Sequence, residues 1–197
     1  MFAHLKKLVD LSQDWQLGTS TRGLAATGKA GAVYYASGNY SETRELLRRL
    51  NLKPLDTFVD VGAGKGRVLC LAAQYKMQKV IGVEYSAELA TVAQRNVDRL
   101  RGRQTPVEIH IQAAEEFDYA GATVIYLFNP FEAEILDLVL RKIEIDRADT
   151  SLRIAFVMES AAQRAVFQSH EWLECFERFI DSAGHPVALY RTTTIVR

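Results

Sequence analysis

The chain has only two cysteines, no surplus of either charge and no apolar run of membrane-spanning length, and each shortage removes a class of protein. Cys70 and Cys175 stand far apart, without a CxxC pair or Cys/His spacing, which excludes a disulfide framework and a structural zinc site. Both are expected to be reduced core residues. The four histidines, His4, His110, His170 and His185, share no ligand spacing. They are expected at the surface or in loops, and no metal is expected. Lys and Arg total 24 against 24 Asp and Glu, so no global field draws the chain toward nucleic acid or an anionic membrane. A nucleic-acid role needs a local patch. Arg95, Arg99, Arg101 and Arg103 crowd the end of one helical stretch, where cations are favourable in any case, so their first reading is structural. The opening residues, Met1 to Asp10, are broken by charge too early to supply a signal-peptide apolar region. No membrane association and a cytoplasmic location are expected.

With 197 residues, 48% of them apolar, the chain is long enough for one well-buried core and short for two. Residues 1–50 are expected to form a helical extension and 51–197 the main domain. Phe2, Leu5, Leu8 and Val9 recur at helical spacing, and Leu46, Leu47 and Leu50 mark the buried face of a helix at about 41–50. Between them, residues 18–40 are rich in Gly, Ser, Thr and Ala, with Tyr34, Tyr35 and Tyr40 among them, and read as a loop or short helical pieces. From Thr57 onward, short apolar runs alternate with helical stretches: strands at 57–61, 79–83, 107–111, 123–128 and 152–157, with helices at about 86–101, 131–142 and 160–168. That alternation predicts an α/β fold with a mostly parallel sheet and helices on both faces. Glu171 to Ile180 and Pro186 to Val196 are joined by only Asp181-Ser182-Ala183-Gly184-His185, a link that permits an antiparallel pair but no helical crossover. The expected sheet therefore has seven strands in a Rossmann-like arrangement and closes on an antiparallel pair.

The strongest motif is Phe58-Val59-Asp60-Val61-Gly62-Ala63-Gly64-Lys65-Gly66-Arg67, a strand running into a glycine loop and then a helix. Glycines there let a ligand approach the backbone closely, and the helix start offers free N–H groups. The spacing is GxGxG; a dinucleotide fingerprint needs glycine where Arg67 stands, and a phosphate loop needs a Lys-Ser/Thr pair. Without a ligand the same motif is a tight strand-to-helix turn. Glu84 closes the second strand 20 residues after Gly64, where an acid accepts hydrogen bonds from ribose hydroxyls. Asp60 can fix loop amides or receive a ligand's amino group.

Asn129-Pro130-Phe131 follows the fourth strand and is expected to face the same crevice as Gly64. An Asn side-chain oxygen and a nearby carbonyl can accept the N–H bonds of an amine and aim its lone pair, while Pro130 fixes the backbone and Phe131 offers an aromatic face. As a purely structural device, the same residues would start a helix, with Asn129 as cap and Pro130 at the first position.

These motifs resemble the class I S-adenosylmethionine-dependent methyltransferases. Within them the chain is similar to small bacterial proteins distantly related to the telomeric-silencing type of histone-lysine methyltransferase. The resemblance is carried by Phe58 to Arg67, Val80 to Tyr85 and Tyr126 to Phe131. It implies S-adenosylmethionine as cofactor, held at Asp60, Gly62, Gly64 and Glu84, and a substrate amine near Asn129. It also implies that Gly18 to Gly23 and Tyr35 belong to a lead-in over the cofactor, so that 1–50 is lead-in and 51–197 the methyltransferase domain. Two positions depart from the pattern. Gln112-Ala113-Ala114-Glu115 stands where relatives place an Asp for the adenine amino group, so Glu115 or the local backbone is expected to take that contact. One proline, not two, precedes Phe131. The acceptor stays open among a protein lysine, a small-molecule amine and a nucleobase. Two other readings stand beside an enzyme: a module that binds the cofactor without catalysis, and a nucleotide-dependent oxidoreductase, which the GxGxG spacing disfavours.

Overall fold

The computed structural model describes residues 2–23, 38–147 and 151–193, with side-chain surroundings from residue 10 onward. Helix α1 (Phe2–Leu17) and α2 (Tyr40–Arg49) precede the sheet. The chain then runs through β1 (Thr57–Val61), α3 (Arg67–Ala72), β2 (Lys79–Glu84), α4 (Ala87–Arg99) and β3 (Val107–Ile111). It continues through β4 (Val124–Phe128), α5 (Ala133–Asp146), β5 (Arg153–Val157), α6 (Ala161–Ser169), β6 (Leu173–Ile180) and β7 (Pro186–Thr192). The seven strands lie in the order β3-β2-β1-β4-β5-β7-β6. The first five are parallel, and β7 inserts antiparallel between β5 and β6.

The inner parallel strands β2, β1, β4 and β5 are buried on both faces, as their near-continuous apolar runs require, while β3 at the edge carries exposed residues. Period-two alternation sorts them into two clusters. Phe58, Val80, Val124 and Tyr126 meet α2, α3 and the end of α4 through Leu46, Leu47, Leu69 and Val97. Val59, Val61, Val83, Ile125 and Leu127 meet α5 and α6 through Leu136, Val139, Leu140 and Phe167 on the other face. Leu17 of α1 and Tyr40 of α2 belong to the first cluster, so both leading helices pack into the core of the sheet. At the amino edge, Arg153 bonds both oxygens of Asp56 at 2.7 Å, tying the turn before β1 to β5. Burial would raise the Asp56 carboxyl, but bonds from Arg153, the Lys53 N–H and Thr123 hold it below the ordinary range.

Two expectations are corrected. Cys70 is buried, but Cys175 is exposed because it sits on β6, the edge strand, whose outer positions no helix covers. His170 is buried rather than superficial. It accepts from the Trp172 indole at 3.2 Å through Nδ1, which leaves Nε2 to donate to Asp137 at 2.9 Å. Among the described residues no helix is long and apolar enough to cross a membrane, and no cluster has metal-ligand character.

Candidate cofactor and acceptor site

Strand order reverses at β1, with β2 and β3 on one side and β4 and β5 on the other, so a crevice opens beyond the carboxyl ends of β1 and β4. The glycine loop turns back over β2, because the amides of Gly62 and Ala63 both donate to the Val83 carbonyl, at 2.9 and 3.1 Å. Gly62 has φ +79°, and a β-carbon there would stand 2.8 Å from the Pro130 β-carbon. The loops after β1 and β4 therefore touch, and the two sequence motifs share one crevice. Gly66 begins α3 at φ +80°, where a β-carbon would meet Ala93 at 3.1 Å, so its glycine serves close packing of α3 on α4.

Two buried carboxylates line the loop. Glu84 accepts from the Gly64 amide and the Ser86 amide, both at 2.8 Å, one on each oxygen. It holds the loop in shape while each oxygen keeps lone-pair capacity. Asp60 shares the sheet face of Phe58 and Tyr126 and is 3% exposed. Its Oδ2 has no hydrogen-bond partner among the described residues. Burial, and then the neighbouring Glu84, push its carboxyl well above the ordinary range. An orphaned acceptor in a native interior is costly and calls for a partner.

Asn129 adopts φ +41°, in the left-handed region that Asn tolerates better than most residues. The helix-start expectation fails here: α5 begins at Ala133 with Glu132 at the N-cap position, making no side-chain capping bond, so Asn129 is not the cap and Pro130 is not its first residue. Instead the Asn129 Oδ1 accepts from Gln163 Nε2 at 2.6 Å, and the same nitrogen donates to the Phe131 carbonyl at 2.8 Å. Gln163 is fixed in turn by a capping box, its Oε1 accepting from the Ser160 amide at 2.8 Å. That amide can only donate, so Gln163 must present its nitrogen to Asn129, and Asn129 must answer with oxygen. One carboxamide thus locks the loop after β4. The Ser160-x-x-Gln163 spacing is a helix-start signal in sequence, but nothing local says that its far end reaches Asn129.

The lead-in is held by a third buried carboxylate. Asp14 accepts from Thr19, Thr21, Arg22 and Tyr40. Burial raises its carboxyl, but bonds from Tyr40, Thr19 and Thr21 outweigh that and bring it below the ordinary range. Arg67 at the start of α3 donates to Thr21 at 2.8 Å and to the Gly38 carbonyl at 2.6 Å, with its guanidinium 4.3 Å over the Tyr40 ring. Asn96 on α4 bonds both Ser20 and the Lys65 carbonyl. Gly18 to Arg22 is thereby fastened beside the glycine loop. Sequence reasoning missed Asp14, Arg67 and Asn96, whose partners are distant in the chain.

Of the expected site residues, Asp60, Gly62, Gly64, Glu84, Asn129 and Pro130 come together at the crevice. Phe131 is 7% exposed and packs its ring in the second core cluster. Glu115 lies in a short 3-10 turn, Ala114–Glu116, after β3. Tyr35 lies outside the described residues.

Residues 21–114 match the family model described as histone methylation protein DOT1. A histone-lysine N-methyltransferase, H3 lysine-79 specific, from Caenorhabditis elegans is 38% identical over 66 residues. That match takes in 30% of this chain and only 7% of the length of the relative. Among solved structures, an RNA methyltransferase from Salinibacter ruber in complex with S-adenosyl-L-homocysteine matches with a TM-score of 0.67 at 17% identity, over 82% of this chain and 97% of that one. Magnesium protoporphyrin IX methyltransferase from Synechocystis PCC 6803 matches with a TM-score of 0.62 at 10% identity, over 81% of this chain and 86% of that one. At such identities the likeness is one of fold. The chain has the fold of these methyltransferases, and its residues 21–114 resemble the DOT1 family.

Proposed function

We propose that the protein binds S-adenosylmethionine through Asp60, Gly62, Gly64 and Glu84 and transfers its methyl group to an amine nitrogen held at Asn129. The observation that carries this reading is the buried Asp60 Oδ2, which has no hydrogen-bond partner among the described residues and lies just before the glycine loop. A carboxylate in that state fits the cationic amino group of the cofactor, and Glu84, fixed by two amides, fits the ribose hydroxyls. The cofactor supplies a methyl on a sulfonium, whose bond electrons leave with the sulfur. The chain contributes position and dryness. Gln163 holds Asn129 in one amide orientation, so its oxygen keeps one lone pair for an acceptor N–H. The amine must present its own lone pair, having lost its proton before transfer.

A lysine side chain is the acceptor we favour. The DOT1 likeness of residues 21–114 is the reason. Calorimetry should show binding of S-adenosylmethionine and S-adenosylhomocysteine but not NAD. Incubation with labelled cofactor and cell extract, followed by mass spectrometry, should find added methyl on lysine. Label confined to nucleic acid or small molecules would overturn the lysine assignment, and absence of cofactor binding would overturn the whole reading.

A further inference from the structure

The chain is neutral overall, yet its charges are not evenly spread. Arg95, Arg99, Arg101 and Arg103 are all exposed. Among the described residues no carboxylate pairs with any of them, whereas most other arginines have such a partner. Arg95 and Arg99 stand one turn apart on α4, and Arg101 and Arg103 continue past its end. A helix dipole accounts for a cation in the last turn, which Arg99 supplies, but not for two more beyond it. The row ends at Trp15: Arg101 donates to the Trp15 carbonyl at 3.2 Å and its own amide bonds Leu17 at 2.9 Å. Trp15 is 76% exposed, and Leu11, one turn earlier on α1, is 43% exposed. The large flat ring of Trp15, on the residue whose carbonyl holds the Arg101 guanidinium, is left in water and makes no ring contact among the described residues.

We propose that this surface, formed by Trp15 with Arg95, Arg99, Arg101 and Arg103, binds single-stranded nucleic acid. Unpaired arginines track phosphates, and an exposed aromatic ring among them stacks a base, the combination by which single strands are held without sequence preference. An acidic protein partner would use the charges but not the isolated ring. The place also matters. Helix α4 starts beyond the carboxyl end of β2 and ends before the start of β3, so the patch lies at the amino edge of the sheet, opposite the crevice. It is an anchor, and it does not depend on the methyl-transfer reading.

Trp15 is its own probe, because the other tryptophan, Trp172, is 6% exposed and shielded. Titration of the full chain with an oligothymidylate of about 15 nucleotides, at about 50 mM salt, should quench tryptophan emission saturably. Binding should weaken steeply with salt, by about 0.7 of a logarithmic unit per phosphate engaged for each tenfold rise. Trp15→Ala should abolish the quench and weaken binding, read by anisotropy of a labelled strand, about five- to a hundredfold. Arg95→Glu with Arg103→Glu, whose side chains have no hydrogen bond or ion pair among the described residues, should weaken it at least about tenfold even if Arg101→Glu fails to fold. Absence of saturable binding, equal affinity of the variants, or equal competition by polyglutamate would each overturn the proposal. Tighter binding of a duplex than of the single strand would overturn it too.

Discussion

Asp60→Asn is the change that most directly opposes stability to binding. In the unliganded protein the Asp60 carboxyl is buried, its Oδ2 has no donor among the described residues, and Glu84 repels its charge. Asn keeps an oxygen acceptor and adds two N–H donors, so what it removes in the absence of ligand is the buried charge and its repulsion by Glu84, a relief of about 1–3 kcal/mol. For a chain of this size that is a rise of about 2–12 °C in melting temperature. The pH dependence follows from the same cause. Because the folded-state pKa is raised, the native protein holds this proton more firmly than the unfolded chain. Wild-type stability therefore falls as pH rises from the ordinary carboxylate range to the raised value, and stays level above it. The advantage of Asp60→Asn should be absent below about pH 4, open across that window and hold constant beyond it. Cofactor binding should move the other way. Loss of a charge-assisted bond to the cofactor amine, about 1.5–3 kcal/mol, weakens affinity about 10- to 150-fold. Thermal melts across pH and calorimetry with S-adenosylhomocysteine read both effects. A variant that melts lower than wild type and binds the cofactor equally well would show that Asp60 is an internal brace with no ligand.

Asn129→Ala should leave cofactor affinity nearly intact and slow transfer by about ten- to a thousandfold, the scale of one lost positioning bond. Asn129→Gly, which relieves the positive φ while losing the bond from Gln163, should be equally slow, and full transfer by the glycine variant would remove Asn129 from the acceptor site. Gln163→Leu strands the Ser160 amide, the Asn129 oxygen and the Phe131 carbonyl, so its melting temperature should fall by about 4–20 °C; an unchanged melt would mean those groups find other partners. Gly62→Ala places a β-carbon 2.8 Å from Pro130 at a left-handed φ and should cost about 1–2 kcal/mol in backbone strain alone. It should also part the two loops and weaken cofactor binding, and unchanged affinity would separate that contact from the site. Wild type should prefer the cofactor over an analogue lacking the adenine amino group more strongly than Glu115→Ala does; equal preference would assign the base to the backbone.

The sequence by itself determined what local periodicity and spacing encode. Short runs such as Phe58 to Val61, apolar but for Asp60, and Val124 to Phe128 read as buried strands, and the strand-glycine-helix order calls for a parallel sheet with a crevice at its reversal. The five-residue link at Asp181 to His185 allows no crossover, so the antiparallel ending was equally legible. Contacts between residues far apart in the chain left no such trace. That Gly62 meets Pro130, that Gln163 rather than a helix cap fixes Asn129, and that Asp14 binds the lead-in are products of packing, because each joins groups whose local sequence allows several partners. The four arginines show the same division. In sequence they read as a helix end, and only the tertiary fold, by bringing Trp15 of α1 beside Arg101 and leaving its ring in water, turned a helix end into a surface.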